Sequence, residues 1–182
     1  MSARRRRRRI SIITPILFLI VIALLVFIGL ILYKQHKKSK EPIFEYVSIA
    51  EEASARALVW LNDIDDIELS FEDVKECMGE FNLEVKYTPT ETKGIYTVEL
   101  MPDCYEYCES QAKIGLEKSY RRAVINRLQK AGYEGPCTDE TVEKLMKTTF
   151  GITVADYLEQ CEISLLPSFE ELNAKYSGEV ER

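Results

Sequence analysis

Histidine is nearly missing from this sequence. The single one, His36, precedes Pro42, so nothing in the longer C-terminal part carries an imidazole. That removes the commonest general base at neutral pH and the commonest zinc ligand. Glycine is sparse, with 8 residues, and nowhere forms a phosphate-binding loop or a nucleophile elbow. Acidic residues are absent from residues 1–40. No low-complexity tract or internal repeat is visible in the domain that follows residue 42. Cysteine is present (Cys77, Cys104, Cys108, Cys137 and Cys161) but too unevenly spaced for a disulfide scaffold, and the odd count leaves at least one thiol unpaired.

The N-terminal region is dominated by one apolar run. Ile10 to Tyr33 carries no charge and is interrupted only by Ser11, Thr14, Pro15 and Gly29. At ~1.5 Å per helical residue it covers roughly 36 Å, enough to cross a hydrocarbon core of about 30 Å with some tilt. It lacks the polar stripe that a surface helix needs. A cleaved signal peptide would have a shorter apolar region and a small-x-small site before Lys34, so the run reads as an uncleaved signal anchor, with Pro15 in its first turn.

Basic residues flank it on both sides, Arg4 to Arg9 before and Lys34, Lys37, Lys38 and Lys40 after. The larger cluster is N-terminal, so the positive-inside rule places the N-terminus in the cytoplasm and the remainder outside. Arg4 to Arg9 also suit anionic lipid head groups, at about 1 kcal/mol per basic residue near the surface. Beyond residue 40 the balance inverts: 14 basic groups face all 30 acidic ones, a net charge of −16. Such a domain repels nucleic acid and anionic lipid. The expected organisation is a cytoplasmic arginine-rich tail at 1–9, a transmembrane helix at 10–33, a juxtamembrane linker at 34–42, an acidic globular domain at 43–176 and a frayed tail at 177–182.

Capping signals set the predicted elements of the domain. Ser48 with Glu51 opens a helix whose face holds Ala50, Ala53, Ala57, Leu61 and Ile64, with Trp60 beside it. Ser70 with Asp73 opens a second, carrying Phe71, Val74, Met78 and Phe81. The period then drops to two: Leu83, Val85 and Tyr87, a turn from Pro89 to Gly94, then Tyr96, Val98 and Leu100, which is a β-hairpin in need of a helical cover. Asp103 with Glu106 predicts a long helix reaching about Ala131 and stopped by Gly132. Thr138 or Asp139, Thr153 with Asp156, and Ser168 with Glu171 open three more, and Gly151 closes the first of these. The fold class is α+β and mostly helical: one N-terminal transmembrane helix, then five or six helices around a two-stranded hairpin.

Few residues suggest chemistry. Cys104 and Cys108 are the only close cysteine pair, and Cys104 follows a predicted helix start, where the dipole lowers a thiol's pKa. The spacing is C-x3-C, however, and Asp103, Glu106 and Glu109 oppose that effect. No metal or cofactor set is expected. The neighbouring carboxylates Glu51 with Glu52, Asp65 with Asp66, and Glu170 with Glu171 read as solvated surface, since adjacent helical residues do not face each other. Lys118, Arg121 and Arg122 form the one basic patch of the domain and are expected to pair with its own carboxylates. The frequent tyrosines (Tyr105, Tyr107, Tyr120, Tyr133 and Tyr157 among them) suit either an interface or the edge of a core.

The run Thr138 to Leu172, with its Phe150-Gly151-Ile152-Thr153 break and the Tyr157-Leu158 helix, resembles the helical arms of trigger-factor-type and SurA-type chaperones over about a fifth of the chain. No prolyl-isomerase domain accompanies it. The expected function is a membrane-tethered, non-enzymatic domain that binds a protein or cell-surface partner. An anchored thiol-based redox enzyme using Cys104 and Cys108, or a chaperone-like peptide-binding module, is the alternative.

Arg127 falls inside the predicted stripe of the long helix, Leu116, Tyr120, Ala123, Val124, Leu128 and Ala131. If it is buried and paired, Arg127→Ala is expected to cost about 3–5 kcal/mol in a urea melt. If its head snorkels to water, the loss is expected nearer ~1 kcal/mol.

Overall fold

A computed structural model of the chain describes residues 3–38, 41–63 and 69–182, with the side chains of 3–14 and 36–38 left aside. The first helix, α1, is Ala3–Lys38, with Pro15 inside it rather than in its first turn. There the missing N–H deletes one i→i−4 bond. The helix also extends into the region expected as linker. Within it, Pro15–Gln35 spans 21 residues at a mean hydropathy of 3.3, and none of the span is buried. The chain thus carries one N-terminal apolar helix long enough to cross a membrane, consistent with a single-pass membrane protein.

The C-terminal part is an antiparallel sheet packed on helices. Its elements are β1 (Ile43–Ser48), α2 (Ala50–Asp63), α3 (Phe71–Met78), β2 (Asn82–Pro89), β3 (Ile95–Leu100), α4 (Pro102–Lys130), α5 (Asp139–Phe150), α6 (Val154–Gln160), α7 (Phe169–Tyr176) and β4 (Gly178–Glu181). The expected hairpin is present as β2 and β3, with Val85 opposite Leu100 and Tyr87 opposite Val98. It is the centre of a four-stranded sheet in the order β1-β2-β3-β4, not a sheet by itself. Two corrections follow. Ser48 does not cap a helix but is the last residue of β1, opposite Asn82, because the ladder to β2 through Val47 and Leu83 keeps the chain extended there and α2 begins only at Ala50. The tail expected to fray at 177–182 supplies β4, which pairs with β3 from Ile95↔Glu181 to Val98↔Gly178.

Most of the capping signals operate. Ser70 with Asp73, Thr153 with Asp156, and Ser168 with Glu171 form reciprocal capping boxes, and Thr138 accepts from the Thr141 amide. Gly151 closes α5 in the left-handed region at φ 74°. The Asp103 box does not form. α4 begins at Pro102, whose ring presets the first turn, while the Met101 amide is already bonded to the Glu84 carbonyl in the sheet.

The core gathers Leu83, Val85, Val98 and Leu100 from the sheet against helices whose contact faces are made of small residues. On α2, Ala50, Ala53, Ser54 and Ala57 are buried together with Leu61, while Ile64 lies outside the described residues. On α4 the buried positions are Cys108, Ala112, Gly115, Leu116, Ser119, Tyr120 and Ala123. This stripe starts two turns earlier than the one expected, since small side chains give little apolar signal in a sequence. Ser54 and Ser119 keep their buried hydroxyls satisfied by donating to the carbonyls of Ala50 and Gly115, at 2.7 and 2.8 Å. At Gly115 a Cβ would lie 2.7 Å from the Met78 Cα, so α3 and α4 touch backbone to side chain. Arg127 is exposed, and Ala131 with it, so the buried-pair alternative does not hold.

Three measurements on a fragment lacking α1 check this packing. Gly115→Val is expected to cost about 1–3 kcal/mol by forcing α3 away, and Arg127→Ala no more than ~1 kcal/mol, in urea melts. The third concerns acid. Hydrogen bonds from Ser70 and from Thr153 hold the carboxyls of Asp73 and Asp156 below the usual range. A carboxyl with a depressed folded pKa binds fewer protons folded than unfolded, so its stabilisation is present above about pH 4 and lost as pH falls through the folded value. The melting temperature should therefore drop on acidification, and Asp73→Asn with Asp156→Asn should flatten that decline.

Candidate functional site

Each suspected chemical group can be placed. Cys104 and Cys108 lie one turn apart on α4, and both thiols point at the Asn82 carbonyl, at 3.5 and 3.3 Å. Cys108 is fully buried, and burial, with a smaller contribution from Cys104, pushes its thiol up to about 11. A thiol held protonated in this way is the opposite of an activated nucleophile. Among the described residues no group of three or more His, Cys, Asp or Glu side chains converges as a metal site.

Of the basic patch, Arg121 and Arg122 are held by the domain's own acids, whereas Lys118 is exposed and in none of these pairs. Arg121 pairs with Glu117 at 3.2 Å and Glu143 at 3.4 Å, tying α4 to α5. Arg122 reaches Glu76 at 2.8 Å and donates to the Asp73 carbonyl, tying α4 to α3. Lys75 holds Glu51 at 2.6 Å across α3 and α2, and Glu52 pairs with Arg56. Asp65 and Asp66 lie outside the described residues. The tyrosines divide: the Tyr120 ring lies between those of Trp60 and Tyr157, with centroids 6.4 and 5.5 Å away, and so joins α4 to α2 and α6, and Tyr105 donates to the Pro167 carbonyl, whereas Tyr107 and Tyr133 face solvent.

The run that resembles a chaperone arm is not an arm here. Its apolar residues Val142, Met146, Val154, Leu158 and Leu172 are buried in the common core. Leu145 and Phe150 of α5 remain exposed, Phe150 the more so.

Among the surface hollows of the domain, two lie on either side of the segment 161–165, which follows α6. One, of about 440 Å³, runs between α4 and α6 with Leu116, Leu158 and Ile163 on its floor and Glu109, Glu117, Glu159 and Glu162 around it. Its one cation, Lys113, lies 3.7 Å from Glu109. The other, of about 520 Å³, lies against α2 and is lined by Val59, Trp60 and Ile163, with Arg56, Asp63 and Glu162 at its edge. Glu162 and Ile163 therefore border both. Glu162 is also the one non-glycine residue with positive φ among those described, at 48°. A left-handed conformation costs an L-residue of this kind about 1–2 kcal/mol. Glu162 directly follows the C-cap of α6, where helices commonly end in a left-handed residue, and its amide donates to the Glu159 carbonyl at 3.3 Å. Sequence reasoning missed this place, since no motif announces a left-handed glutamate. No family model, no curated protein and no solved structure matches the chain.

Cys108 supplies the prediction for this region. In the folded fragment at neutral pH its thiol should stay unmodified by iodoacetamide, then react once urea unfolds the domain. Protection mapped by peptide mass spectrometry checks this, and rapid labelling of folded Cys108 would revive the thiol-enzyme alternative.

Proposed function

We propose that the chain is a membrane-tethered, non-enzymatic binding module, anchored by Pro15–Gln35, with its N-terminus in the cytoplasm and its acidic domain outside. The partner is a protein segment carrying basic and apolar side chains. The observation that carries this reading is the crest at Glu162 and Ile163, which joins two apolar-floored grooves within a carboxylate rim. Charge supports it too, because a domain of net charge −16 steers cationic partners towards itself and anionic ones away. Removing the acidic rim should slow association more than it weakens the fold, since exposed carboxylates contribute little to stability.

Two experiments test the proposal. A photo-crosslinking residue at Ile163 of the full chain in native membranes should trap one discrete protein, and Glu159→Lys with Glu162→Lys should abolish that adduct. An adduct insensitive to both reversals would take the grooves out of the reading. For topology, protease added to intact cells should digest the domain, and neutral replacements of Arg4 to Arg9 should scramble its orientation. Protection until lysis would invert the assignment.

A further inference from the structure

The two edges of the sheet are built differently. At one edge, β4 is four residues long and carries Glu179 and Glu181, charges that blunt a strand against pairing. At the other, β1 is six residues long and has neither a lysine nor a bulge, and Phe44 and Tyr46 are 46% and 68% exposed. It has a free row of backbone groups that the hydrogen bonds identify. The Met101 amide donates to the Glu84 carbonyl, so in β2 Glu84 and its alternates face β3, while Leu83, Val85 and Tyr87 face β1. Their partners in β1 are Val47, Glu45 and Ile43. Phe44, Tyr46 and Ser48 therefore aim their N–H and C=O groups away from the sheet, and among the described residues no strand takes them.

We infer that β1 pairs with β1 of a second copy of this chain, antiparallel across a two-fold axis, to make one continuous sheet of two domains. The geometry of the strand favours a second copy. A two-fold axis perpendicular to the sheet keeps the faces matched, and the register that uses all three outward residues sets Tyr46 opposite Tyr46 of the other copy and Phe44 opposite its Ser48. On the helix-covered face that register sets Glu45 against Val47 of the other copy, so no like charges meet directly. Glu45 is moreover already neutralised, because Arg182 grips both its oxygens at 2.6 Å while stacking on Tyr87. Anchoring adds to this. Four residues, 39–42, separate α1 from β1, a reach of at most about 14 Å, so every copy carries this edge close to the membrane surface. Copies in one membrane thus meet with their edges at the same height and at a raised effective concentration. The pairing is independent of which partner fills the grooves beside Glu162.

The full chain in detergent micelles at low protein-to-micelle ratio, with mass read by light scattering and amide exchange read on the segment 43–49, tests this. The wild type is expected as two copies, with slow exchange at Phe44, Tyr46 and Ser48. Tyr46→Pro removes an outward N–H without touching the β1–β2 ladder, and Phe44→Lys charges the edge. Each should give one copy with fast exchange and an unchanged cooperative melt, and if Tyr46→Pro does not fold, Phe44→Lys decides. A monomeric wild type overturns the inference. So does dimerisation that survives Phe44→Lys, which would place the contact elsewhere, or slow exchange at monomer mass, which would mean that something other than a second copy covers the edge.

Discussion

The close approach of three helices governs the rest of the domain. α3 lies between α2 and α4, and it fits because α2 offers Ala53 and Ala57 and α4 offers Ala112, Gly115 and Ser119 where larger side chains would stand. Close packing at protein density leaves no slack at Gly115, where the backbone of Met78 already occupies the space a Cβ would need. With these helices drawn together, they form a single layer over Leu83, Val85, Val98 and Leu100 and bury the apolar face of a hairpin that would be marginal alone. The second half of α4 then projects beyond the sheet and provides the surface on which α5 and α6 pack, through Val142, Met146, Val154 and Leu158. The grooves beside Glu162 exist because α6 ends early and the chain must turn back over α2 and α4.

Charge is distributed by the same logic. Lys75 of α3 and Arg121 and Arg122 of α4 are engaged with carboxylates of neighbouring helices. Such solvent-screened pairs contribute little to stability. Their larger effect is on what is left over: acids outnumber bases, and the surplus lines the groove between α4 and α6. An apolar floor with a carboxylate rim suits a cationic, partly apolar chain and disfavours phosphate-bearing ligands. Cys108 is sealed in the core, and that burial raises its pKa.

Helix starts were legible wherever a local hydrogen-bonding pattern decides them. Ser70, Thr138, Thr153 and Ser168 cap as their spacing implied, and Gly151 terminates α5, because those bonds close within three or four residues. Signals failed where distant chain competed. Ser48 and Glu51 satisfy the capping pattern, yet the ladder of β1 with β2, more than thirty residues on, keeps the chain extended through Ser48. The expected stripe of α4 is buried at Leu116, Tyr120 and Ala123 but does not continue inward to Arg127 and Ala131; the buried face instead extends back through Cys108, Ala112, Gly115 and Ser119, small residues that give little apolar signal.

By itself, the sequence determined the features that depend on composition or short-range spacing. These are the apolar span, the charge asymmetry along the chain, the helical caps and the alternation of the central hairpin, each set by water, lipid or a neighbouring turn. Tertiary structure alone decided the two outer strands, the face that α4 turns inward and the strained Glu162 between two grooves. Each of those rests on a partner remote in the chain: β2 for β1, β3 for β4, Met78 for Gly115. Residues that meet only after folding leave no periodic trace from which their meeting can be read.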